Sequence, residues 1–253
     1  MRYGIDQASG LRQILRQPPP EVLAVLPCGA SAMRWLAMQA HQRAVLGVRI
    51  LAFDEWMITG SFSDCVGAVP TFDLLQAALG HVSLVSCRAE ALPELAVVST
   101  ARLAREMCHD RLLLQRCAAQ LEHFKSQSDE WLIIARPCEL AGLSAFALAA
   151  PRLLLVLEAT DQAFAQGYST LKELAEGADT LAVGVALAGP QAPAARQRVS
   201  SFQKRVHQSL NVTLHGVASV GEAIGLSVGS NEPLAYAERL LLRARQVRVA
   251  EAR

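Results

Sequence analysis

The residues able to do chemistry stand at the ends of apolar runs. Pro27-Cys28-Gly29-Ala30-Ser31-Ala32-Met33-Arg34-Trp35 follows the run VLAVL. A turn from a buried strand into a helix can cradle phosphate. It needs several glycines to converge the backbone N–H groups, a Lys for the β- and γ-phosphates and a Ser or Thr for magnesium. This turn has one Gly and no Lys, and Trp35 stands near the place of the hydroxyl. Arg34 supplies a cation, but a guanidinium does not replace an ammonium in a tight loop. Cys28, Gly29, Ala30, Ser31 and Arg34 therefore read as a degenerate loop, an ordinary strand–helix turn.

Asp54-Glu55 closes the run VRILAF. The place suits a catalytic or metal-binding carboxylate, and it equally suits helix capping by Asp54. Neighbours on an extended chain point opposite ways, so the two acids are no ready acid–base pair. The run WLIIA ends in Ala135-Arg136-Pro137-Cys138-Glu139, where a metal-linked strand would end in Asp. Glu139 is then either recruited to a site or a solvated turn acid. The histidines 41, 81, 109, 123, 207 and 215 have no HxH or HExxH spacing, and Cys108-His109 is adjacent rather than one helical turn apart. Ser31 lies in no GxSxG elbow, so a hydrolase triad has no anchor. Cys28 and Cys138 both follow strands; they read as a redox pair or as two idle thiols.

These ends must be held by a regular frame. Val22–Leu26, Val48–Phe53, Val82–Ser86, Trp131–Ala135, Leu153–Leu157, Leu181–Leu187 and Val212–Val217 read as strands. Ala30–Leu46, Thr71–Leu79, Thr100–Lys125, Ala159–Ala175, Ala194–Leu210 and Pro233–Val247 read as helices. In Thr100–Lys125 the stripe is Leu103, Met107, Leu112, Leu113, Cys117 and Leu121. Alternating strands and helices with continuously apolar strands predict an α/β fold, a mostly parallel sheet covered by helices on both faces. Residues 6–16 read as an amphipathic helix that need not belong to the main body, with Ala8, Leu11, Ile14 and Leu15 on one stripe and the stiff spacer Pro18-Pro19-Pro20 after it. The expected organisation is an N-terminal extension over 1–20 and one α/β domain over 21–253.

The chain has 253 residues, 24 Lys+Arg and 23 Asp+Glu, for a net charge of +1. Such a length supports a core without disulfides or metal. The charge balance gives no footprint for nucleic acid or anionic lipid. The six Cys have no CxxC spacing, so free thiols are expected. Thr180–Ala195, the richest apolar stretch, is broken by Gly184, Gly189, Pro190, Gln191 and Pro193, too soon to span a membrane. The start, Met1 to Asp6, has no apolar signal core, so a cytoplasmic location is expected.

The motif Asp6-Gln7-Ala8-Ser9-Gly10-Leu11-Arg12 resembles the DQAxGLR signature of the FlhG (FleN) family, MinD/ParA-like P-loop ATPases that set flagellar number and placement. Further similarity follows in order along nearly the whole chain. VLAVLPCGASAMRW stands where the family has its P-loop strand, VRILAFDEW where a second strand ends in aspartate, and WLIIARPCELAG in place of the Walker B strand. LLLVLEATDQAFAQGYSTLKEL is similar to the strand and helix that come next.

The resemblance implies a MinD/ParA-like P-loop NTPase fold with an N-terminal helical extension. It also implies that the extension binds an FlhF-type GTPase of the signal-recognition-particle class through Asp6, Gln7, Ala8, Leu11, Arg12 and Leu15. Gln7 would reach the partner's active site and stimulate GTP hydrolysis in trans, as a Gln can by orienting the attacking water. Departures from the family are as informative. Its deviant Walker A has two lysines and a glycine run, absent from 28–35, and its Walker B aspartate falls on Ala135 or Arg136. A pseudo-ATPase is therefore expected, with no ATP, no magnesium and no residue catalytic in cis. The family's membrane-targeting helix has no counterpart after Pro233–Val247, so neither stable membrane binding nor nucleotide-driven pairing is expected. The chain would be a monomer or a nucleotide-independent oligomer, recruited to the cell pole by its partner. The alternatives are a divergent ATPase built on Arg34, Asp54 and Glu139, or a scaffold in another MinD-like system for secretion or cellulose export.

Overall fold

The computed structural model describes residues 18–56, 58–106, 111–138, 142–176, 181–189, 192–227 and 236–242. Strand β1 (Glu21–Cys28) leads into helix α1 (Ala30–Val45) and then β2 (Ile50–Asp54). Two short helices follow, α2 (Phe62–Val66) and α3 (Leu74–Ala78), then the strands β3 (Arg88–Leu92) and β4 (Leu95–Ser99). Helices α4 (Ala101–Glu106) and α5 (Arg111–Phe124) precede β5 (Glu130–Ile134). A small hairpin of β6 (Pro137–Cys138) and β7 (Gly142–Leu143) comes before α6 (Ala145–Leu148) and β8 (Arg152–Leu157). The chain continues through α7 (Asp161–Glu176), β9 (Ala182–Leu187), α8 (Pro193–Leu210), β10 (Leu214–Gly216) and α9 (Val220–Ile224), and residues 236–242 are helical.

The main sheet has the order β10-β9-β8-β1-β5-β2-β4-β3. Its pairings are parallel except at the β3 edge, which runs antiparallel to β4. Strand β1 sits centrally, with Val22, Ala24 and Leu26 in one core and Leu23 and Val25 in the other. That alternation is the signature of a sheet covered on both faces, as the continuous apolar run requires. On one side α1 lays Ala32, Leu36 and Ala40 against Leu23, Val25 and Ile134. On the other, Phe53 meets Phe124, Trp131 and Phe146 edge to face at centroid distances of 6.1, 5.4 and 5.3 Å. Tyr236 continues that cluster against Trp131 and Phe146, and its hydroxyl donates to the Phe146 carbonyl at 2.6 Å. The apolar face of the helix at 236–242 is thus turned inward.

Several expectations need correction. Val82–Ser86 is no strand; Leu84–Cys87 forms a 3₁₀ turn capped by the Ser83 side chain, which accepts from Ser86 N. Val85 is 80% exposed there, so it has no sheet face to cover. The strands lie just beyond, as the hairpin β3–β4 closed by Pro93-Glu94, where none was expected. The expected helix over Thr100–Lys125 is described as α4, α5 and a 3₁₀ turn at Lys125–Gln127, with residues 107–110, and so Met107, outside the described residues. Within it Leu103, Leu113, Cys117 and Leu121 are buried, but Leu112 is exposed. Helices α2, α6 and α9 are too short to carry a period, and the sequence did not announce them. The helix expected over 6–16 lies outside the described residues.

Asp73 ties two of these short pieces to the sheet. Its side chain accepts from Leu75 N at 2.9 Å and Ser99 Oγ at 2.9 Å, and from Arg102 N and Leu103 N at 3.1 and 3.3 Å. It closes a capping box with Gln76 at the start of α3 and serves the first turn of α4 as well. One buried carboxylate therefore orients the helices behind β4. Among the described residues, no helix is long and apolar enough to cross a membrane.

Candidate functional site at the carboxyl edge of the sheet

Ligands of open parallel sheets bind where the strands end, at the carboxyl edge. Strand β1 ends there at Cys28, and Gly29 makes the turn with φ 108° and ψ 160° before α1. Only glycine suits that backbone, and space imposes the same choice. A Cβ at Gly29 would lie 2.2 Å from Glu158 Oε2 and 2.8 Å from Glu158 Cβ. Glu158 follows β8, where its amide donates to the Cys28 carbonyl at 3.0 Å. Its carboxylate accepts a long hydrogen bond from Ser31 N, 3.4 Å. An acid of the chain's own thus covers the start of α1, where free N–H groups and the helix dipole favour negative charge.

Arg34 is exposed on α1, and its charge is felt at the Cys65 thiol, which burial nonetheless raises above the ordinary range. No hydrogen bond or ion pair joins Arg34 to Asp54 among the described residues. Asp54 accepts from Ser63 N at 2.9 Å, Ser63 Oγ at 2.5 Å and Trp56 N at 3.0 Å. Asp54 is thus tied to the first turn of α2, nine residues on, while the N-cap of that helix is Ser61, whose side chain accepts from Asp64 N. Burial raises the Asp54 pKa, and its three donors pull the other way.

Glu55 points elsewhere, as the extended chain demands. Ser144 Oγ donates to Oε1 at 2.5 Å and Arg136 N donates to Oε2 at 3.1 Å. Burial raises its carboxyl from 4.5 to about 7. Ala135 and Arg136 follow β5, where a metal-linked strand would end in an acid; Ala135 is buried and Arg136 exposed. Glu139 lies outside the described residues. Cys28 and Cys138 are both free. Burial pushes the Cys28 thiol up to about 12, so it holds little thiolate at neutral pH and makes a poor redox nucleophile. No group of three or more His, Cys, Asp or Glu poised for a metal ion occurs among the described residues.

Asp6, Gln7, Ala8, Leu11, Arg12 and Leu15 also lie outside the described residues. Sequence reasoning missed Glu158, Ser63 and Ser144. Glu158 was within reach, because it is the acid directly after the apolar run LLLVL, at the edge where ligands sit.

The overall architecture is similar to solved MinD/ParA-type proteins. An ATP complex of McdA from Cyanothece superposes with a TM-score of 0.57 at 16% identity, covering 93% of this chain and 98% of that one. The MinD cell division protein of Aquifex aeolicus gives 0.54 at 14%, covering 90% and 97%. A ParA family ATPase from Chlorobium tepidum TLS gives 0.54 at 15%, covering 92% and 94%. No protein-family model matches the chain, and no curated protein matches it in sequence. The chain has the MinD/ParA-like α/β P-loop NTPase fold.

Proposed function

We propose that this chain is a regulatory binding protein: a MinD/ParA-like body that uses no nucleotide, carrying an N-terminal GTPase-activating segment. The observation that carries the first half is Glu158. A phosphate at the start of α1 would meet its carboxylate, within 3.4 Å of Ser31 N, and no lysine in 28–35 offsets the repulsion. Ala135 and Arg136 follow β5 where the family's magnesium-linked aspartate would stand. Loss of the phosphate cradle together with the metal-linked acid supports a pseudo-ATPase over a single altered enzyme. Isothermal calorimetry with Mg-ATP should give no binding tighter than about 100 μM, roughly −5.5 kcal/mol. Tighter saturable binding would overturn this half and favour a divergent ATPase.

The second half rests on DQASGLR. In this reading Gln7 enters the active site of an FlhF-type GTPase, while Ala8, Leu11 and Leu15 dock the helix and Arg12 adds a charge contact. The setting is flagellar placement, with recruitment to the cell pole by that partner. Binding and turnover should then separate. In the full chain, Gln7→Ala should remove most of the stimulation in single-turnover GTP hydrolysis and leave binding nearly unchanged, because Gln7 acts only in the transition state. Leu11→Asp should abolish binding itself, since docking would bury a charge. Equal stimulation by wild type and Gln7→Ala would return the segment to a structural role.

A further inference from the structure

We infer that the cleft between the ends of β2 and β5 and the helix α4 binds the phosphoryl group of a small anionic ligand, held by Arg105 and Arg136. The cleft has a volume of about 420 Å³, within the range of small-molecule sites. Arg105 comes from the last turn of α4 and Arg136 from the turn after β5, so the two guanidiniums arrive from separate elements. Ala101 and Ala104 supply short side chains on the α4 wall and leave room between them. Both arginines are exposed, and no acidic side chain among the described residues pairs with either.

Five other arginines, at 43, 49, 88, 152 and 198, do have acidic partners, at Glu130, Asp129, Glu90, Glu21 and Asp161. Two unpaired forks lining one cleft at the ligand edge of a parallel sheet form a donor set for an oxyanion. One fork satisfies a carboxylate, whereas two from separate walls suit a tetrahedral dianion.

The floor does not oppose this. Glu55 is already engaged by Ser144 Oγ and the Arg136 amide, and burial keeps a share of it protonated near neutrality. None of the residues that line the cleft belongs to the turn at Cys28–Ser31 or is Glu158. The inference is therefore independent of the fate of the nucleotide loop.

The test uses the full chain and inorganic phosphate at constant ionic strength, against chloride. Phosphate should raise the melting temperature saturably, as any ligand of the native state alone must. Arg105→Gln with Arg136→Gln should lose that rise while melting in chloride close to wild type, because both side chains are exposed. Each single variant should weaken phosphate at least tenfold in equilibrium dialysis, a second readout should the double variant fold poorly. Arg196→Gln with Arg205→Gln, on the basic helix α8, should keep the full effect. No saturable rise, or a rise that survives in the Arg105/Arg136 pair, would overturn the inference. Loss with the α8 pair instead would move the anion to that helix, and a larger rise with succinate would overturn the phosphoryl assignment.

Discussion

Replacing Arg43 with alanine should cost about 3–5 kcal/mol of unfolding free energy, the penalty for stranding a buried charge. Arg43 stands in the last turn of α1, and its Nε donates to Glu130 Oε2 at 2.9 Å while a second guanidinium nitrogen bonds Oε1. Glu130 opens β5 in register with Glu21 of β1 and Ile50 of β2, and its side chain is only 7% exposed. Without the guanidinium that carboxylate keeps its burial and loses its fork. Arg43 itself is a quarter exposed, so water can reach the gap and the lower end of the range is expected. The double variant Arg43→Met with Glu130→Leu should recover most of the loss, since apolar replacements often match a buried pair. Arg49–Asp129, at the same end of β5 but 35% and 46% exposed, should contribute no more than about 1 kcal/mol. Urea unfolding with an unchanged slope would measure all of this. A loss below about 1 kcal/mol for Arg43→Ala would make the pair a surface contact.

What the sequence made legible follows from the range over which each signal acts. Runs such as VLAVL and LLLVL are buried on both faces, so their hydrophobicity is unbroken and the expected strands match β1 and β8 within two residues. The hairpin β3–β4 was missed because its outer strand is only partly buried, and RAEAL carries no dense apolar run. Leu84–Cys87 misled for the opposite reason: a local run of apolar residues turns on Ser83 and leaves Val85 in water. Of the site, the missing lysine and glycines in 28–35 could be read directly. The covering of α1 by Glu158 could not, because Ser31 and Glu158 are 127 residues apart and meet only through the β1–β8 pairing. The opposite facing of Asp54 and Glu55 followed from strand geometry alone. Their partners Ser63 and Ser144 did not, since each belongs to a short helix without a period of its own.

Glu55 carries the second large effect, and its sign is set by burial. Its carboxyl is raised from 4.5 to about 7, chiefly by desolvation, with the charge of Asp54 adding to the rise and the bonds from Ser144 and Arg136 opposing it. Between those values the folded chain holds a proton that the unfolded chain has released. Unfolding free energy therefore falls as pH rises through that window. The favourable contribution is complete below about pH 4.5 and gone above about 7, a difference of up to about 3 kcal/mol at ~1.4 kcal/mol per unit. Glu55→Gln keeps the shape and an acceptor for Arg136 N, and its amide can donate to Ser144 Oγ. At about pH 8 the variant should be more stable than wild type by about 2 kcal/mol, and at about pH 4 the two should be nearly equal. Asp54 is also raised, so a shallower fall of the same sign should remain in the variant. Chemical unfolding of both proteins across that range is the measurement. Parallel stability curves would mean that Glu55 stays ionised throughout, with its hydrogen bonds outweighing its burial.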